Sequence, residues 1–287
     1  MNQDQVVFNG GGYRLGLFIL FLICGLSVFL INVAFSPLIP ENIGFVLKMG
    51  LVVVFFALSM LACSSERFHR LWQVFFAFCI AAFALLATSY MGDWGLRIFD
   101  LNTTTPQGLA VAKLSESLVI VFCIILLTRI SGSDMGSIFI AKGNLRLGLI
   151  IGLTSFIILS ALSVLLAKAE NIDPEIVLSF APWALVFVLA NGFMEELLYR
   201  GLFLKKLAPF FRNRLSNILT ALIFTLAHIQ VTYTQDLPVF LVITFLFALA
   251  WGYVMQKTNS LLASGLFHAG ADTLIIVGIF ANYGALP

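Results

Sequence analysis

The chain has 287 residues, of which 61% are hydrophobic and only 10% are charged, and its mean hydropathy is +1.04. Soluble domains are about half apolar and about a quarter charged, so this composition excludes an ordinary soluble domain. The net charge of +2 comes with no basic patch dense enough to indicate nucleic-acid binding. The composition indicates a multi-pass integral membrane protein, and the lipid bilayer is the only partner it implies.

Apolar stretches of about 20 residues, the length that crosses a bilayer, predict an all-α polytopic membrane bundle. The first stretch has no A-x-A-like cleavage site and is expected to be a retained signal-anchor. The run 118–127 is apolar on every face, which argues against a membrane β-barrel with alternating strands. We predict about nine spans, with eight as the alternative, at 14–35, 43–63, 71–91, 109–129, 146–167, 178–204, 214–232, 237–256 and 260–282.

The lysine and arginine residues predict the orientation, because cytoplasmic loops are enriched in them. With nine spans and a cytoplasmic N-terminus, eleven of these cations fall on the cytoplasmic side and four on the other side. The sequence therefore favours a cytoplasmic N-terminus and a C-terminus on the opposite side. In a bacterial source, the membrane would be the plasma membrane.

The positions of the ionisable residues divide the chain into a supporting part and a working part. The last four spans contain the deep ionisable groups and two of the three histidines. We therefore predict supporting transmembrane helices over residues 1–175 and a catalytic core over residues 176–287. Lys113 and Glu116 lie one turn apart in the fourth span and are interpreted as a structural pair.

Three ionisable residues, Glu195, Glu196 and Arg200, interrupt a long apolar stretch that begins near Val177. A charge at the bilayer centre costs on the order of 3 kcal/mol, so such residues usually line a working cavity. Arg200 stands one helical turn beyond Glu196, and we expect the two to pair. Glu195 is then left as the carboxylate suited to act as a general base.

Two histidine elements follow, Phe224-x-x-x-His228 and His268-x-x-x-Asp272. His268 and Asp272 share one helix face, so the carboxylate could orient the imidazole, or the two could hold a metal ion or a water. At about 1.5 Å per residue, Glu195 lies roughly 15 Å from Lys205, His268 roughly 16 Å from Lys257, and His228 roughly 21 Å from Arg214. Similar depth is expected of residues that share a cavity.

Glycines lie close to these residues and allow helices to approach or to break near the site. The structural alternative is that the histidines serve only as interhelical hydrogen-bond partners and that Glu196 and Arg200 form a buried ion pair. The cost of five ionisable residues at matched depth favours the functional interpretation. The glycines concerned are Gly192, Gly201, Gly265 and Gly270.

In order and spacing, these three elements resemble the motifs of the CAAX protease and bacteriocin-processing (CPBP) family, also called the Abi family, of intramembrane proteases. The resemblance covers residues 195–272, and it departs at Asp272, where the eukaryotic members commonly have Asn. It implies a peptidase whose site opens towards the cytoplasm. The implied substrates are membrane-associated peptides or proteins: prenylated CAAX tails in eukaryotes, and peptide pheromones, bacteriocin precursors or membrane proteins in bacteria.

The resemblance also implies a role for each residue. Glu195 would activate water, and His228 would polarise the scissile carbonyl or stabilise the oxyanion. His268 and Asp272 would position water or substrate, while Glu196 and Arg200 would hold their helix in place. A zinc ion held by Glu195, His228 and His268 is an alternative, although hydrolysis without a required cofactor is favoured.

Other functions stay open at this point. A non-catalytic bacteriocin-immunity or membrane scaffold protein could keep the motif for its shape, and buried Glu, His and Asp could form the proton relay of a transporter. Other protease classes fit less well. The chain has no H-E-x-x-H motif, Ser264 lacks the preceding glycine of a rhomboid-type serine, and Asp272 is the only aspartate at depth.

Overall fold

The computed structural model describes residues 11–284, and this part of the chain is helical, with no β-strand. Short π-helical turns cover Leu30–Ala34 and Leu197–Gly201, and the second of these directly follows the acidic pair. The α-helices are α1 (Gly11–Phe29), α2 (Glu41–Ser64), α3 (Trp72–Met91), α4 (Trp94–Phe99), α5 (Pro106–Ile130), α6 (Leu145–Ala169), α7 (Pro174–Glu196), α8 (Leu204–Ala227), α9 (Leu237–Thr258) and α10 (Leu261–Gly284).

Local sequence signals explain where three of the long helices begin. The side chain of Thr105 accepts a hydrogen bond from Gly108 N at 3.0 Å before α5, and Asn144 accepts one from Leu147 N at 3.1 Å before α6. Asp173 caps α7 in the same way, and Pro174 occupies the first position of that helix, where the missing N–H costs nothing. The cap at Asp173 fixes the start of α7, the helix that carries the acidic pair.

Eight helical segments of the described residues are long and apolar enough to cross a membrane. They confirm the all-α polytopic bundle, and they correspond to eight of the nine spans expected from the sequence. The expected span at 214–232 is the exception. Its residues belong largely to α8, whose composition is too polar for this class.

The polarity of α8 and a break in its backbone account for this difference. Its first half contains Lys205, Lys206, Arg212 and Arg214, and Arg212 has a left-handed φ of 56°. The uninterrupted helix after Arg212 covers residues 213–227, which is shorter than the roughly 20 residues that a span needs. By length and composition, the described residues therefore contain eight candidate spans, and α8 falls outside this class.

The chain forms two compact units. The first unit contains the residues up to Leu86 and Tyr199–Tyr253, and the second contains Ala87–Leu198 and the residues from Val254 onwards. Each unit thus combines segments from both sides of residue 175, and the functional division at that residue stays a prediction.

In the first unit, α1 packs against α2 and α8. The fully buried ring of Phe21 lies at the centre, and the centroids of four other rings lie 6.0–6.4 Å from its own. Gly25 brings α1 close to α8, since a Cβ atom there would lie 2.3 Å from Cδ1 of Ile223. The four rings belong to Phe75, Phe78, Phe210 and Phe211.

In the second unit, α10 packs against α6 and α7, and α5 packs against α7. Phe280 is fully buried, and its ring centroid lies 5.7 Å from that of Phe180 and 6.0 Å from that of Phe187. Because lipid tails are as apolar as these side chains, close packing holds the helices together more than the hydrophobic effect does. The α7–α10 pair carries most of the predicted site residues.

Candidate active site

Small residues let α7 and α10 come into backbone contact. A Cβ atom on Gly192 would lie 2.7 Å from the backbone nitrogen of Ala269 and 2.9 Å from the carbonyl oxygen of Gly265. Real Cβ atoms essentially never come within 3.0 Å of another heavy atom, so only glycine permits this approach. Gly270 does the same towards α6, where a Cβ atom would lie 2.7 Å from Cα of Phe156. The predicted close approach at these three glycines is confirmed.

This contact places three carboxylates around the imidazole of His268. Nδ1 donates a hydrogen bond to Oε1 of Glu196 at 2.9 Å. Nε2 lies 3.4 Å from Oε2 of Glu195 and 3.5 Å from Oδ1 of Asp272. Hydrogen bonds of this type usually span about 2.7–3.2 Å, so the ring is bonded firmly at Nδ1 and held more loosely at Nε2. Glu195 therefore faces His268 and does not stand alone.

The four side chains differ in their access to the surroundings. Those of Glu196 and His268 are 0% and 2% exposed, whereas those of Glu195 and Asp272 are 16% and 15% exposed. A carboxylate that activates water must reach water, and one that only holds a ring need not. The accessible carboxylates lie on the looser Nε2 side of the imidazole.

Two neutral side chains complete the cluster. Nδ2 of Asn191 donates to Oδ2 of Asp272 at 3.0 Å, and Oγ of Ser264 donates a short hydrogen bond to Oε2 of Glu196. The sequence analysis missed Asn191, and it considered Ser264 only as a nucleophile. A signal was nevertheless present, because each lies four residues before an ionisable residue of the site and so shares its helix face.

Lys113 of α5 extends the charged region of the second unit. Its Nζ bonds Oε2 of Glu116 at 2.6 Å, as predicted for a structural pair, and lies 5.9 Å from the ring centroid of Phe187 on α7. Its positive charge also interacts with the carboxylates of Glu195 and Asp272. The pair is therefore an electrostatic neighbour of the cluster.

Arg200 and His228 belong to the first unit. Arg200 is fully buried, and its guanidinium carbon lies 4.2 Å from the ring centroid of Phe224 and 5.3 Å from that of Trp251. His228 directly follows the end of α8, and its Nδ1 donates to the carbonyl oxygen of Phe224 at 2.8 Å. In a neutral imidazole this leaves Nε2 as the acceptor.

The structure thus brings together Glu195, Glu196, His268 and Asp272 in the second unit. In the first unit, Arg200 lies against aromatic rings and His228 bonds a backbone carbonyl oxygen. The expected pairing of Glu196 with Arg200 stays a prediction. Within the second unit, the hydrogen-bond partners of Glu196 are His268 and Ser264.

Between residues 11 and 284, no three His, Cys, Asp or Glu side chains form a group that could hold a metal ion. In the second unit, Nδ1 of His268 is already hydrogen-bonded to Glu196. The predicted zinc ligands Glu195, His228 and His268 are drawn from both units, and this set stays a prediction.

Comparison with known proteins finds a similarity in the segment that carries the site. Residues 177–274 match the family model described as "Type II CAAX prenyl endopeptidase Rce1-like". The match confirms the resemblance read from the three motifs, and it supports a CAAX-type intramembrane protease in general terms. Searches of curated proteins and of solved structures gave no match. The matched segment includes all six predicted site residues.

Proposed function

We propose that this chain is an intramembrane endopeptidase that hydrolyses membrane-associated peptides or proteins near the cytoplasmic face, with Glu195 as the base that activates water. One observation carries this proposal: Glu195 is partly exposed and faces Nε2 of a buried histidine that is fixed through its other nitrogen. A base of this kind needs access to water and an oriented polar neighbour, and Glu195 has both.

In the proposed reaction, the Glu195 carboxylate takes a proton from a water molecule whose oxygen attacks the scissile carbonyl carbon. The C–N bond then breaks, and the proton passes to the departing amine. General-base catalysis of this kind typically supplies about 10²–10⁴-fold in rate. His268 and Asp272 position the water or the substrate, and Glu196 and Arg200 hold their surroundings in place. His228 polarises the carbonyl, as the resemblance implies, and no step requires a metal.

The substrate we propose has its cleaved bond close to the membrane surface, and it is prenylated if the chain acts on CAAX tails. The proposed orientation keeps the N-terminus cytoplasmic, in the plasma membrane of a bacterial cell. The basic residues 205, 206, 212 and 214 stay on the cytoplasmic side with either eight or nine spans. Lys257 lies on the same side as Lys142 and Arg146, because the backbone nitrogen of Asn144 donates to the carbonyl oxygen of Thr258 at 2.7 Å.

The test compares cells that carry wild-type protein, Glu195→Gln or Glu175→Gln at equal expression. Glu175 provides the matched control, because it lies in the first turn of the same helix, is exposed and undergoes the same chemical change. Mass spectrometry of membrane and secreted peptides then identifies new termini. We expect termini that are present with wild type and with Glu175→Gln and absent with Glu195→Gln.

The same experiment separates the enzyme from its alternative. A non-catalytic immunity or scaffold protein needs shape and no base, so Glu195→Gln would keep the full cellular phenotype and leave all termini unchanged. That outcome would overturn the proposal. If termini are lost, synthetic peptides that contain them, with and without a prenyl group, show whether the lipid is part of the recognised substrate.

A further inference from the structure

The polar contacts between α7 and α10 are reciprocal. Asn191 of α7 donates to Asp272 of α10, and Ser264 of α10 donates to Glu196 of α7. The two carboxylates that receive these bonds lie at opposite nitrogens of the same imidazole. Each helix therefore supplies the neutral donor that fixes a carboxylate of the other helix.

The two donors use the carboxylate oxygens that His268 does not. Glu196 presents Oε1 to Nδ1 and Oε2 to Ser264. Asp272 presents Oδ1 to Nε2 and Oδ2 to Asn191. Glu196 is hydrogen-bonded at both carboxylate oxygens, whereas Asp272 is bonded at Oδ2 and its Oδ1 lies 3.5 Å from Nε2. Each donor restricts rotation about the terminal torsion and so limits the direction from which its carboxylate meets the ring.

Neutral donors also suit this task on electrostatic grounds. A lysine or arginine in place of Asn191 or Ser264 would add a further positive charge beside the imidazole. A hydroxyl or a carboxamide satisfies the oxygen without removing the charge. This matters most for Glu196, because its side chain is fully buried and an unsatisfied buried oxygen is costly.

We propose that Asn191 and Ser264 are positioning residues of the peptidase: together they lock the Asp272 and Glu196 carboxylates and thereby fix the orientation of His268. This inference rests on the proposed function, since it concerns the rate of the same reaction. Neither residue belongs to the three motifs, and neither needs to touch the substrate. They act through the carboxylate that each holds.

The test measures kcat and KM of the purified full-length protein on a peptide that contains a mapped cleavage site. The variants are Asn191→Leu, Ser264→Ala and the conservative Ser264→Thr, which keeps the hydroxyl. Thr273→Val is the matched control for Ser264→Ala, because Thr273 is also buried on α10 but bonds only the Gly270 carbonyl of its own helix, at 2.6 Å. Ser179→Ala serves the same purpose on α7, where its hydroxyl bonds the Ile176 carbonyl.

We expect kcat to fall about 10–100-fold in Asn191→Leu and in Ser264→Ala, because small misplacements of catalytic groups cost up to about that much. KM should change little, Ser264→Thr should restore most of kcat, and both controls should match wild type. The double variant should lose less than the product of the two single losses, since both act on one imidazole.

Two outcomes would overturn the inference. Wild-type kcat in Asn191→Leu and Ser264→Ala, with Glu195→Gln inactive, would leave the proposed function standing and remove the positioning role. Equal losses in Ser264→Ala and Thr273→Val, with no rescue by Ser264→Thr, would assign the effect to helix packing. If wild type and Glu195→Gln leave the same peptides uncut, no cleavage depends on Glu195, and the proposed function itself fails. Unfolding curves of each variant in detergent show that the compared proteins are folded.

Discussion

The two units hold a buried nitrogen-bearing side chain, His268 in one and Arg200 in the other, in different ways. In the second unit, His268 is surrounded by the carboxylates of Glu195, Glu196 and Asp272, which are groups that exchange protons. In the first unit, Arg200 lies against the faces of Phe224 and Trp251, which attract a cation but accept no proton. The comparison shows that a ring surrounded by carboxylates and a guanidinium stacked on aromatic faces are two distinct ways to hold a polar side chain among apolar helices.

The largest expected effect comes from Glu196, the fully buried carboxylate beside His268 in the second unit. Glu196→Gln keeps the size of a fully buried side chain but removes the charge that His268 Nδ1 and Ser264 meet. Loss of one partner from a buried charged pair typically costs about 3–5 kcal/mol. We expect the free energy of unfolding in detergent to fall by about this amount, with Glu175→Gln unchanged. Equal stabilities of the two variants would show that the cluster does not hold the fold.

The spacing of α7 and α10 offers a second way to disturb the cluster without touching a polar atom. Gly265→Ala adds a Cβ that would lie 2.7 Å from the ring of Phe193, whereas Gly278→Ala on the same helix meets nothing within 4 Å. Overpacking typically costs about 1–3 kcal/mol. We expect Gly265→Ala to lose stability and activity together and Gly278→Ala to lose neither. Similar unfolding curves for the two would contradict the close contact.

The aromatic support of Arg200 should respond differently. Trp251→Leu removes one of the two π faces, and a desolvated cation–π contact contributes about 2 kcal/mol. We expect a loss of stability of about 1–2 kcal/mol, much of which Trp251→Phe recovers because a phenyl face remains. Denaturant unfolding of the three proteins measures this. A phenylalanine variant as unstable as the leucine variant would mean that volume alone decides.

The smallest effect on activity should come from Lys113, whose substitution tests whether a nearby positive charge influences the carboxylate cluster. Lys113→Met removes a positive charge that interacts with Glu195 and Asp272 while keeping the length of the side chain. The lysine side chain is 22% exposed, and partly exposed charge pairs contribute about 1 kcal/mol or less. We expect kcat/KM to fall about two- to fivefold, with no change in the exposed control Lys168→Met. A kcat/KM equal to that of wild type would show that the charge of Lys113 does not affect the reaction, and the Lys113–Glu116 pair would then be structural.

Most of the fold was predictable, because apolar runs of span length leave few alternatives. The difference at α8 has a local cause. Its basic residues place α8 outside the composition typical of membrane spans. Nothing in the sequence of this segment indicates the left-handed backbone at Arg212. The capping residues Thr105, Asn144 and Asp173 were readable, but they mark where helices begin and not whether they cross.

The candidate site was predictable in its members and less so in its contacts. Spacing along one helix shows that Glu195 and Glu196 point about 100° apart, but it cannot show which of them bonds His268 Nδ1. That depends on the register between α7 and α10, which the contact of Gly192 with Ala269 and Gly265 sets. The sequence analysis therefore missed the bond from Ser264 on the neighbouring helix, while the expected pairing of Glu196 with Arg200 stays a prediction.

The glycine contact between α7 and α10 has a consequence for engineering. Because the backbones of these helices touch near Gly192, the geometry of the cluster is defined by two rigid rods and not by loops. The two helices could therefore be transferred together. If a designed loop joined them in the same register within another membrane protein, their four ionisable side chains and two neutral donors should keep their present arrangement. Substrate preference would then have to be designed into whatever helices the new scaffold places beside it.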